Sequence, residues 1–206
     1  PFNNDSEVAC TQAAVDANAL TDLASLAKAA PKLVYSANPE HTTRPDGLPL
    51  LKKEYGIEFK SVTKVAIGLR YKPIEDGKAD CVYAFGTDPQ IAQNKLVVIT
   101  DNTGKFQGAA FQGIPVVTKK YLDAASPEFA ATVNAVSAAL TSDEVRTMNA
   151  AVDIDKEDPE VVAKAFLDAN QIRFEPGLNE DLAATAVFGT QQAPLHAGAR
   201  VQGVFS

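Results

Sequence analysis

Two short segments of the sequence combine side chains that can bind a solute with residues typical of tight loops. Residues 40–49 place Arg44 after a predicted strand and before a predicted helix, where a guanidinium can bind an anion through two parallel hydrogen bonds. Residues 83–88 place Phe85 at the end of a predicted strand, followed by a glycine and by Thr87. The alternatives stay open, because a surface arginine is usually solvated and an isolated phenylalanine usually belongs to the core.

The common motifs of enzymes and metal sites do not occur in the sequence. His41 and His196 are isolated, without the histidine or cysteine spacings of zinc sites. The glycine-rich motifs that bind dinucleotides and phosphates are missing, as is the Gly-x-Ser-x-Gly motif of hydrolases. We therefore predict no metal, no cofactor and no enzymatic activity.

The two cysteines, Cys10 and Cys81, lie in separate predicted strands. Their spacing fits neither a metal site nor a Cys-x-x-Cys redox motif. Two buried free thiols and one disulfide are equally compatible with the sequence. A disulfide would imply an oxidising compartment and would stabilise the fold by on the order of 4 kcal/mol.

The composition is that of an ordinary globular domain with an acidic charge balance. The chain has 206 residues, of which 46% are hydrophobic and 22% are charged, so it can bury a substantial core. Its formal net charge of -7 disfavours binding to nucleic acids or to anionic lipid surfaces. Its apolar runs are far shorter than the roughly 20 residues of a membrane-spanning helix.

The elements that would position Arg44 and Phe85 alternate in the first half of the chain. Predicted strands and short helices follow one another, including a helix at residues 68–76 and a helix with Asp88 as its N-cap. This order predicts an α/β lobe with a mostly parallel sheet, whose binding loops collect at the carboxyl ends of the strands. Four helix signals follow, at residues 119–124, 127–140, 142–152 and 159–170.

Several motifs then occur in a recognisable order. They are Pro1-Phe2-Asn3-Asn4, Asp46-Gly47-Leu48-Pro49, Gly68-Leu69-Arg70-Tyr71, residues 80–88 and residues 96–101. Together they resemble the glycine betaine/choline/carnitine substrate-binding proteins of ABC importers. The resemblance runs from Pro1 to about Ile172, and several motifs in the correct order are more specific than any one of them.

The resemblance implies a type II periplasmic-binding-protein fold, in which two α/β lobes hold a ligand in the cleft between them. Residues 1–107 would form the α/β ligand-binding lobe, and residues 108–172 the returning strand and helices of the partner lobe. Residues 173–206 would be a tail with weak strand potential. The N-terminal part of such proteins is then missing, so an N-terminal lobe or a second chain is an expected partner. One hypothesis is that tail strands near Val187 or Val201 cover the exposed sheet edge.

Site residues follow from the resemblance position by position. Arg44 stands where some members bind the carboxylate of the ligand, and Phe85 stands at a tyrosine position of the aromatic cage that holds a quaternary ammonium by cation–π attraction. Two further cage positions fall near Ser6 and Ala109, which are not aromatic. Either another aromatic such as Phe106, Phe111 or Tyr71 would take their place, or the missing lobe would supply more. The predicted ligand-binding residues are Asn4, Ser6, Arg44, Phe85, Thr87 and Phe111.

The resemblance predicts an extracytoplasmic solute-binding protein. It would deliver a small osmolyte-like or quaternary-ammonium solute to the permease of an ABC importer, at the cell surface or in the periplasm, with or without a lipid anchor. The expected partners are a small-molecule ligand and the permease, and no nucleic acid. The alternative is a transport-inactive sensor or interaction domain that keeps the fold but has an altered ligand.

Overall fold

The computed structural model describes residues 2–106 and 111–172. Their backbone forms two compact units. The larger unit contains residues 2–113 and 141–157, and the smaller unit contains residues 114–140 and 158–172. The predicted tail strands near Val187 and Val201, and the cage position near Ala109, lie outside the described residues. The predicted domain boundaries at residues 107 and 172 stay predictions.

A mixed sheet of five strands forms the centre of the larger unit. The strands are β1 (Ser6–Cys10), β2 (Val34–Ala37), β3 (Ser61–Lys64), β4 (Cys81–Phe85) and β5 (Val97–Val98), in the order β3-β2-β4-β1-β5. β2 runs parallel to β3 and β4, whereas β1 runs antiparallel to β4 and β5. The predicted α/β class is confirmed.

The sheet is mixed instead of mostly parallel, and the connections explain the difference. Strand–helix–strand crossovers make β2, β3 and β4 parallel, as the alternating order of elements predicts. β1 enters from the start of the chain, between β4 and β5, and no such crossover links it to either neighbour directly along the chain. The alternation of strands and helices in the sequence therefore did not predict the direction of β1.

Helices surround this sheet and make up most of the smaller unit. In chain order they are α1 (Gln12–Asn18), α2 (Leu23–Ala29), α3 (Leu48–Tyr55), α4 (Lys72–Glu75), α5 (Gln90–Gln93), α6 (Lys119–Ala124), α7 (Pro127–Ala139), α8 (Ser142–Asp153) and α9 (Pro159–Ala169). Short 3-10 turns occur at Ala30–Lys32, Glu40–Thr42 and Ile67–Leu69. None of the helices in the described part of the chain is long and apolar enough to cross a membrane.

Local sequence explains where these helices begin and end. Asp22 and Ser25 form a reciprocal capping box at the start of α2. Gly56 ends α3 in the left-handed region, at φ 70°, which glycine adopts without steric cost. Asp158 caps α9, where Pro159 occupies the first turn. The predicted helix at residues 68–76 is instead a 3-10 turn followed by α4.

The sheet is buried on both faces, so it lies between two apolar layers. Val8 and Tyr83 point into one cluster, which also contains the side chains of α2. The intervening residues Ala9 and Val82 belong to a second cluster together with Tyr71. This alternation is the period of two that a β-strand imposes on its side chains. Cys10 and Cys81, which are paired across β1 and β4, are joined in a disulfide.

Candidate ligand-binding site

A small cavity opens at the carboxyl ends of the three parallel strands of the larger unit. Its lining residues come from the loop after β2, from the turn after β3 and from β4 itself. They are Asn38, His41, Arg44, Asp46, Ile67, Tyr83 and Phe85. Loops at the carboxyl ends of parallel strands are the usual location of ligand sites in α/β proteins. The cavity therefore joins both segments that the sequence singles out.

Arg44 contributes a positive charge to the cavity, but Asp46 already balances it. The Arg44 Nε donates to Asp46 Oδ1 at 2.9 Å, and Nη2 donates to Oδ2 at 2.5 Å. This fork raises the pKa of Arg44 and lowers the pKa of Asp46, in both cases mainly through the hydrogen bond between the two side chains. A guanidinium has a second edge, so Arg44 can still donate to a ligand.

His41 is a neutral part of the cavity wall. Its side chain is buried and stacks on the ring of Tyr83, with ring centroids 3.8 Å apart and an interplanar angle of 19°. Its Nε2 lies 3.3 Å from the hydroxyl of Tyr35. Burial lowers the pKa of His41 to about 4, so the imidazole carries no charge at neutral pH.

The loop that carries His41 and Arg44 depends on a glycine. A Cβ atom added to Gly47 would lie 2.1 Å from the carbonyl oxygen of His41. No side chain fits at that distance, so the backbone of residues 41–47 can close only with glycine at this position. This loop contributes His41, Arg44 and Asp46 to the lining of the cavity.

The remaining wall of the cavity is aromatic and apolar. Tyr83 and Phe85 make an edge-to-face contact with centroids 4.9 Å apart. The Tyr83 hydroxyl lies 3.0 Å from the Oγ of Ser6, which is buried behind it. Burial raises the pKa of Tyr83, so this hydroxyl stays protonated. The aromatic faces suit an apolar or cationic group of a ligand.

A buried arginine holds three of the lining residues from behind. Arg70 donates from Nε to the Tyr83 carbonyl at 2.9 Å and from Nη1 to the Ile67 carbonyl at 2.7 Å. Its guanidinium carbon also lies 5.1 Å from the centroid of the Phe85 ring. Asp88 pairs with the Nη2 of Arg70 and neutralises its charge. These bonds fix the relative positions of Ile67, Tyr83 and Phe85.

Asp88 has a different role from the predicted one. The residue before α5 is Pro89, and no side chain caps this helix. The Asp88 carboxylate instead accepts hydrogen bonds from the backbone N–H of Phe85 and from the hydroxyl of Tyr71, each at 2.7 Å, and pairs with Arg70. A buried guanidinium is a stronger partner for a carboxylate than the exposed N–H groups of a four-residue helix.

Helix α8 fixes the turn that follows Phe85. Arg146 donates to the Gly86 carbonyl from Nε at 3.2 Å and from Nη2 at 2.8 Å. Asn149 donates to the Thr87 carbonyl at 3.2 Å. The cavity wall therefore depends on residues far along the chain that belong to the same compact unit.

The structure brings some predicted site residues to the cavity and places others beside it. Arg44 and Phe85 line the cavity. Ser6 is not a lining residue but pairs with Tyr83, which is one, while Asn4 accepts a hydrogen bond from Thr87 Oγ1 at 2.5 Å. The carbonyl of Phe111 accepts from the backbone N–H of Asn4 at 2.9 Å. The predicted ligand contacts of Asn4, Ser6, Arg44, Phe85, Thr87 and Phe111 stay predictions.

Two aromatic residues considered as replacements for the cage are engaged elsewhere. Tyr71 is buried, and its hydroxyl donates to Asp88. Phe106 is 2% exposed and belongs to the core cluster on one face of the sheet. Neither lines the cavity within the part of the chain that the structure describes.

Sequence reasoning missed several lining residues. Asn38, His41 and Asp46 lie in the loop that follows β2, and Ile67 follows β3. The rule that binding loops collect at the carboxyl ends of parallel strands could have identified them. No group of three or more His, Cys, Asp or Glu side chains among the described residues is arranged to hold a metal ion.

Comparisons with known proteins agree with one another. A family model for the substrate binding domain of the ABC-type glycine betaine transport system matches residues 1–169. Over 167 residues, the chain is 28% identical to the ergothioneine transport permease/ergothioneine binding protein EgtU of Helicobacter pylori, covering 81% of this chain and 30% of that protein. Over 136 residues, it is 29% identical to the glycine-betaine-binding protein of Pseudomonas aeruginosa, covering 65% of this chain and 43% of that protein.

A solved structure gives the same result for the fold. The crystal structure of a glycine betaine/carnitine/choline ABC transporter superposes with a TM-score of 0.64 at 28% sequence identity. The match covers 82% of this chain and 61% of that chain. The chain thus spans less than half the length of the two relatives and less than two thirds of the solved structure.

Proposed function

The chain belongs to the OpuAC family of substrate-binding domains of ABC-type glycine betaine transport systems, and we propose that it binds a small osmolyte-like or quaternary-ammonium solute and delivers it to the permease of an ABC importer. The observation that carries this proposal is the cavity that unites Arg44 with Phe85 inside the matched domain. Binding and release of the solute, without catalysis, are its whole activity.

The two kinds of side chain in the cavity suit the two ends of a zwitterion. The second edge of the Arg44 guanidinium can donate to a carboxylate, and the aromatic faces of Phe85 and Tyr83 can contact a methylated ammonium. Asp46 adds a negative charge beside Arg44, which favours the cationic end. A zwitterion would thus meet both charges of the Arg44–Asp46 pair.

The enclosure around the solute would be completed by residues outside the larger unit. The solved structure that the chain resembles is longer, and the chain covers 61% of it. An N-terminal lobe of the same protein, or a second chain, would supply the opposite wall of the cleft. Closure around the solute and opening at the permease would then follow from movement of the two walls.

The proposed location is extracytoplasmic, either in the periplasm or at the cell surface. Substrate-binding proteins of ABC importers meet their solute outside the cytoplasm. The disulfide between Cys10 and Cys81 supports this location, because disulfides persist mainly in oxidising compartments. A lipid anchor would keep the protein near its permease.

Calorimetry with the full-length protein tests the proposal. The panel is glycine betaine, proline betaine, choline, carnitine and ergothioneine, and we expect at least one of them to bind. A ligand at about 100 times its dissociation constant should stabilise the folded state by about 2.7 kcal/mol, which a thermal-shift assay detects easily. If the solute is a zwitterion, Arg44→Ala should weaken binding by roughly tenfold or more, since it removes charge-assisted hydrogen bonds.

Lys52→Ala is the matched control for Arg44→Ala. Lys52 is also an exposed cation in an ion pair, with Glu58, but it does not line the cavity. Its removal should leave the affinity unchanged. Equal losses in the two variants, or no binding by any compound of the panel, would contradict the proposed site. A separate experiment distinguishes a transport protein from a sensor: uptake of the solute should depend on the partner permease only if the protein takes part in transport.

A further inference from the structure

One buried acceptor at the cavity lacks a hydrogen-bond partner. Asn38 lines the cavity and is 7% exposed. Its Oδ1 atom is buried and receives no hydrogen bond from residues 2–106 and 111–172. Buried polar atoms are almost always paired in folded proteins, because an unpaired one loses its hydration without compensation. An unpaired oxygen on a residue that lines a ligand cavity points to a donor on the ligand.

Glu40 determines which atom of the Asn38 amide is left unpaired. The Nδ2 of Asn38 donates to Glu40 Oε2 at 2.7 Å. This hydrogen bond is the main cause that lowers the pKa of Glu40, so the carboxylate is charged at neutral pH. Turning the amide over would place its oxygen against this carboxylate, and two acceptors cannot bond to each other. The unpaired atom is therefore an acceptor.

None of the other polar side chains that line the cavity donates to Asn38 Oδ1. Arg44 donates to Asp46 through two hydrogen bonds, and their charges cancel. The hydroxyl of Tyr83 is paired with Ser6. His41 is neutral at pH 7, because burial lowers its pKa to about 4. The lining residue Asn38 thus carries an acceptor that the other side chains of the cavity leave unpaired.

We infer that the transported solute carries an N–H or O–H donor that binds Asn38 Oδ1. The inference rests on the proposed function and narrows its ligand class. A trimethylammonium group with a carboxylate, as in glycine betaine, has no such donor. A hydroxyl, a ring N–H or a protonated amine on the same kind of zwitterion or cation supplies it.

Matched pairs of solutes test the inference by calorimetry on the full-length protein. Carnitine and γ-butyrobetaine differ by one hydroxyl, and N,N-dimethylglycine and glycine betaine differ by one N–H in place of a methyl group. In at least one pair the member with the donor should bind about tenfold or more tightly, which is about 1.4 kcal/mol. Asn38→Leu should reduce this ratio to less than about threefold, because leucine keeps the branched shape of the side chain and removes the acceptor.

Asn102→Leu is the control. Asn102 also donates from Nδ2 to a carboxylate, since it lies 2.8 Å from Asp22 Oδ2, but it does not line the cavity. It should keep the wild-type ratio. Ratios within threefold for both pairs in the wild-type protein would overturn the inference, and so would a tenfold ratio that persists in Asn38→Leu. If Asn38→Leu fails to fold, the affinity ratios of the wild-type protein for the two solute pairs test the inference alone. Binding by none of the four solutes would overturn the inference, and binding by no compound of the panel above would overturn the proposed function as well.

Discussion

Among single residues, His41 shows most directly how burial sets the chemistry of the cavity. Its ring packs against Tyr83 and lies close to Tyr35 and Phe106, with little access to water. Desolvation disfavours the imidazolium form and outweighs the opposite effect of the Asp46 carboxylate. The cavity therefore keeps its charge balance down to acidic pH, because its histidine does not titrate near neutrality.

The lowered pKa of His41 predicts a loss of stability in acid. In the unfolded chain His41 binds a proton near pH 6.5, whereas in the folded protein it does so only near pH 4. Stability is then complete above pH 6.5 and falls as the pH decreases from 6.5 to 4, by up to about 3 kcal/mol. Urea unfolding at several pH values measures this loss.

His41→Gln isolates the contribution of this residue. The variant has no imidazole to titrate, so its free energy of unfolding should change less between pH 6.5 and pH 5 than that of the wild-type protein. Carboxylates titrate in both proteins and cancel in the difference. Parallel pH profiles for the two proteins would show that His41 is not the buried neutral group described above.

At the scale of secondary-structure elements, the Arg70–Asp88 pair connects three separate segments. Arg70 follows the 3-10 turn at Ile67–Leu69, and it bonds to β4 and to the loop before α5. The side chains of Arg70 and Asp88 are 9% and 13% exposed. A buried charge that loses its partner is strongly destabilising, so this pair holds the ends of the strands in place.

Removing the positive charge of this pair should unfold the protein more readily. Arg70→Met leaves Asp88 buried without its counter-ion and should lower the free energy of unfolding by on the order of 3 kcal/mol. Lys72→Met is the control, because Lys72 lies only two residues after Arg70 and its ion pair with Asp76, four residues further along the chain, is largely exposed. Exposed pairs contribute little, so the control should be close to wild type. Similar losses in chemical denaturation for both variants would contradict the special role of Arg70.

The helices show which parts of the fold the sequence patterns predict correctly. Helix α6 occupies the predicted residues, and α7, α8 and α9 begin at their predicted starts and end within one residue of their predicted ends. The starts were predictable because proline and polar caps mark them clearly. The predicted helix at residues 68–76 was wrong as one element, since Arg70 turns inward to a buried partner. Tertiary contacts of this kind leave no periodic signal in the sequence.

The candidate site was predictable only in part for a related reason. Arg44 and Phe85 stand out by residue type and by their position after strands. Asn38 and Tyr83 do not, because an asparagine in a loop and a tyrosine in a strand are common. Their part in the cavity depends on the order of β2, β3 and β4 in the sheet. That order is a property of the folded chain.

For the molecule as a whole, the family match and the topology describe an α/β unit whose central strands are joined by a disulfide. The match over residues 1–169 confirms the resemblance that the ordered motifs predict. The disulfide joins β1 to β4, so it links the first strand of the chain to the strand that carries Tyr83 and Phe85. Both cysteines are fully buried in the core.

Removing this disulfide should lower the free energy of unfolding, because the unfolded chain gains conformational freedom. The two cysteines are 71 residues apart, and closing a loop of that length removes chain entropy equivalent to about 4 kcal/mol from the unfolded state. The double variant Cys10→Ala, Cys81→Ala should lose up to about this amount in guanidinium unfolding. It should also unfold identically with and without reductant, whereas the wild-type protein should be destabilised by reductant once unfolding exposes the bond. A wild-type midpoint that reductant does not change would show that the two thiols are not joined in the native protein, and it would remove the support that the disulfide gives to an extracytoplasmic location.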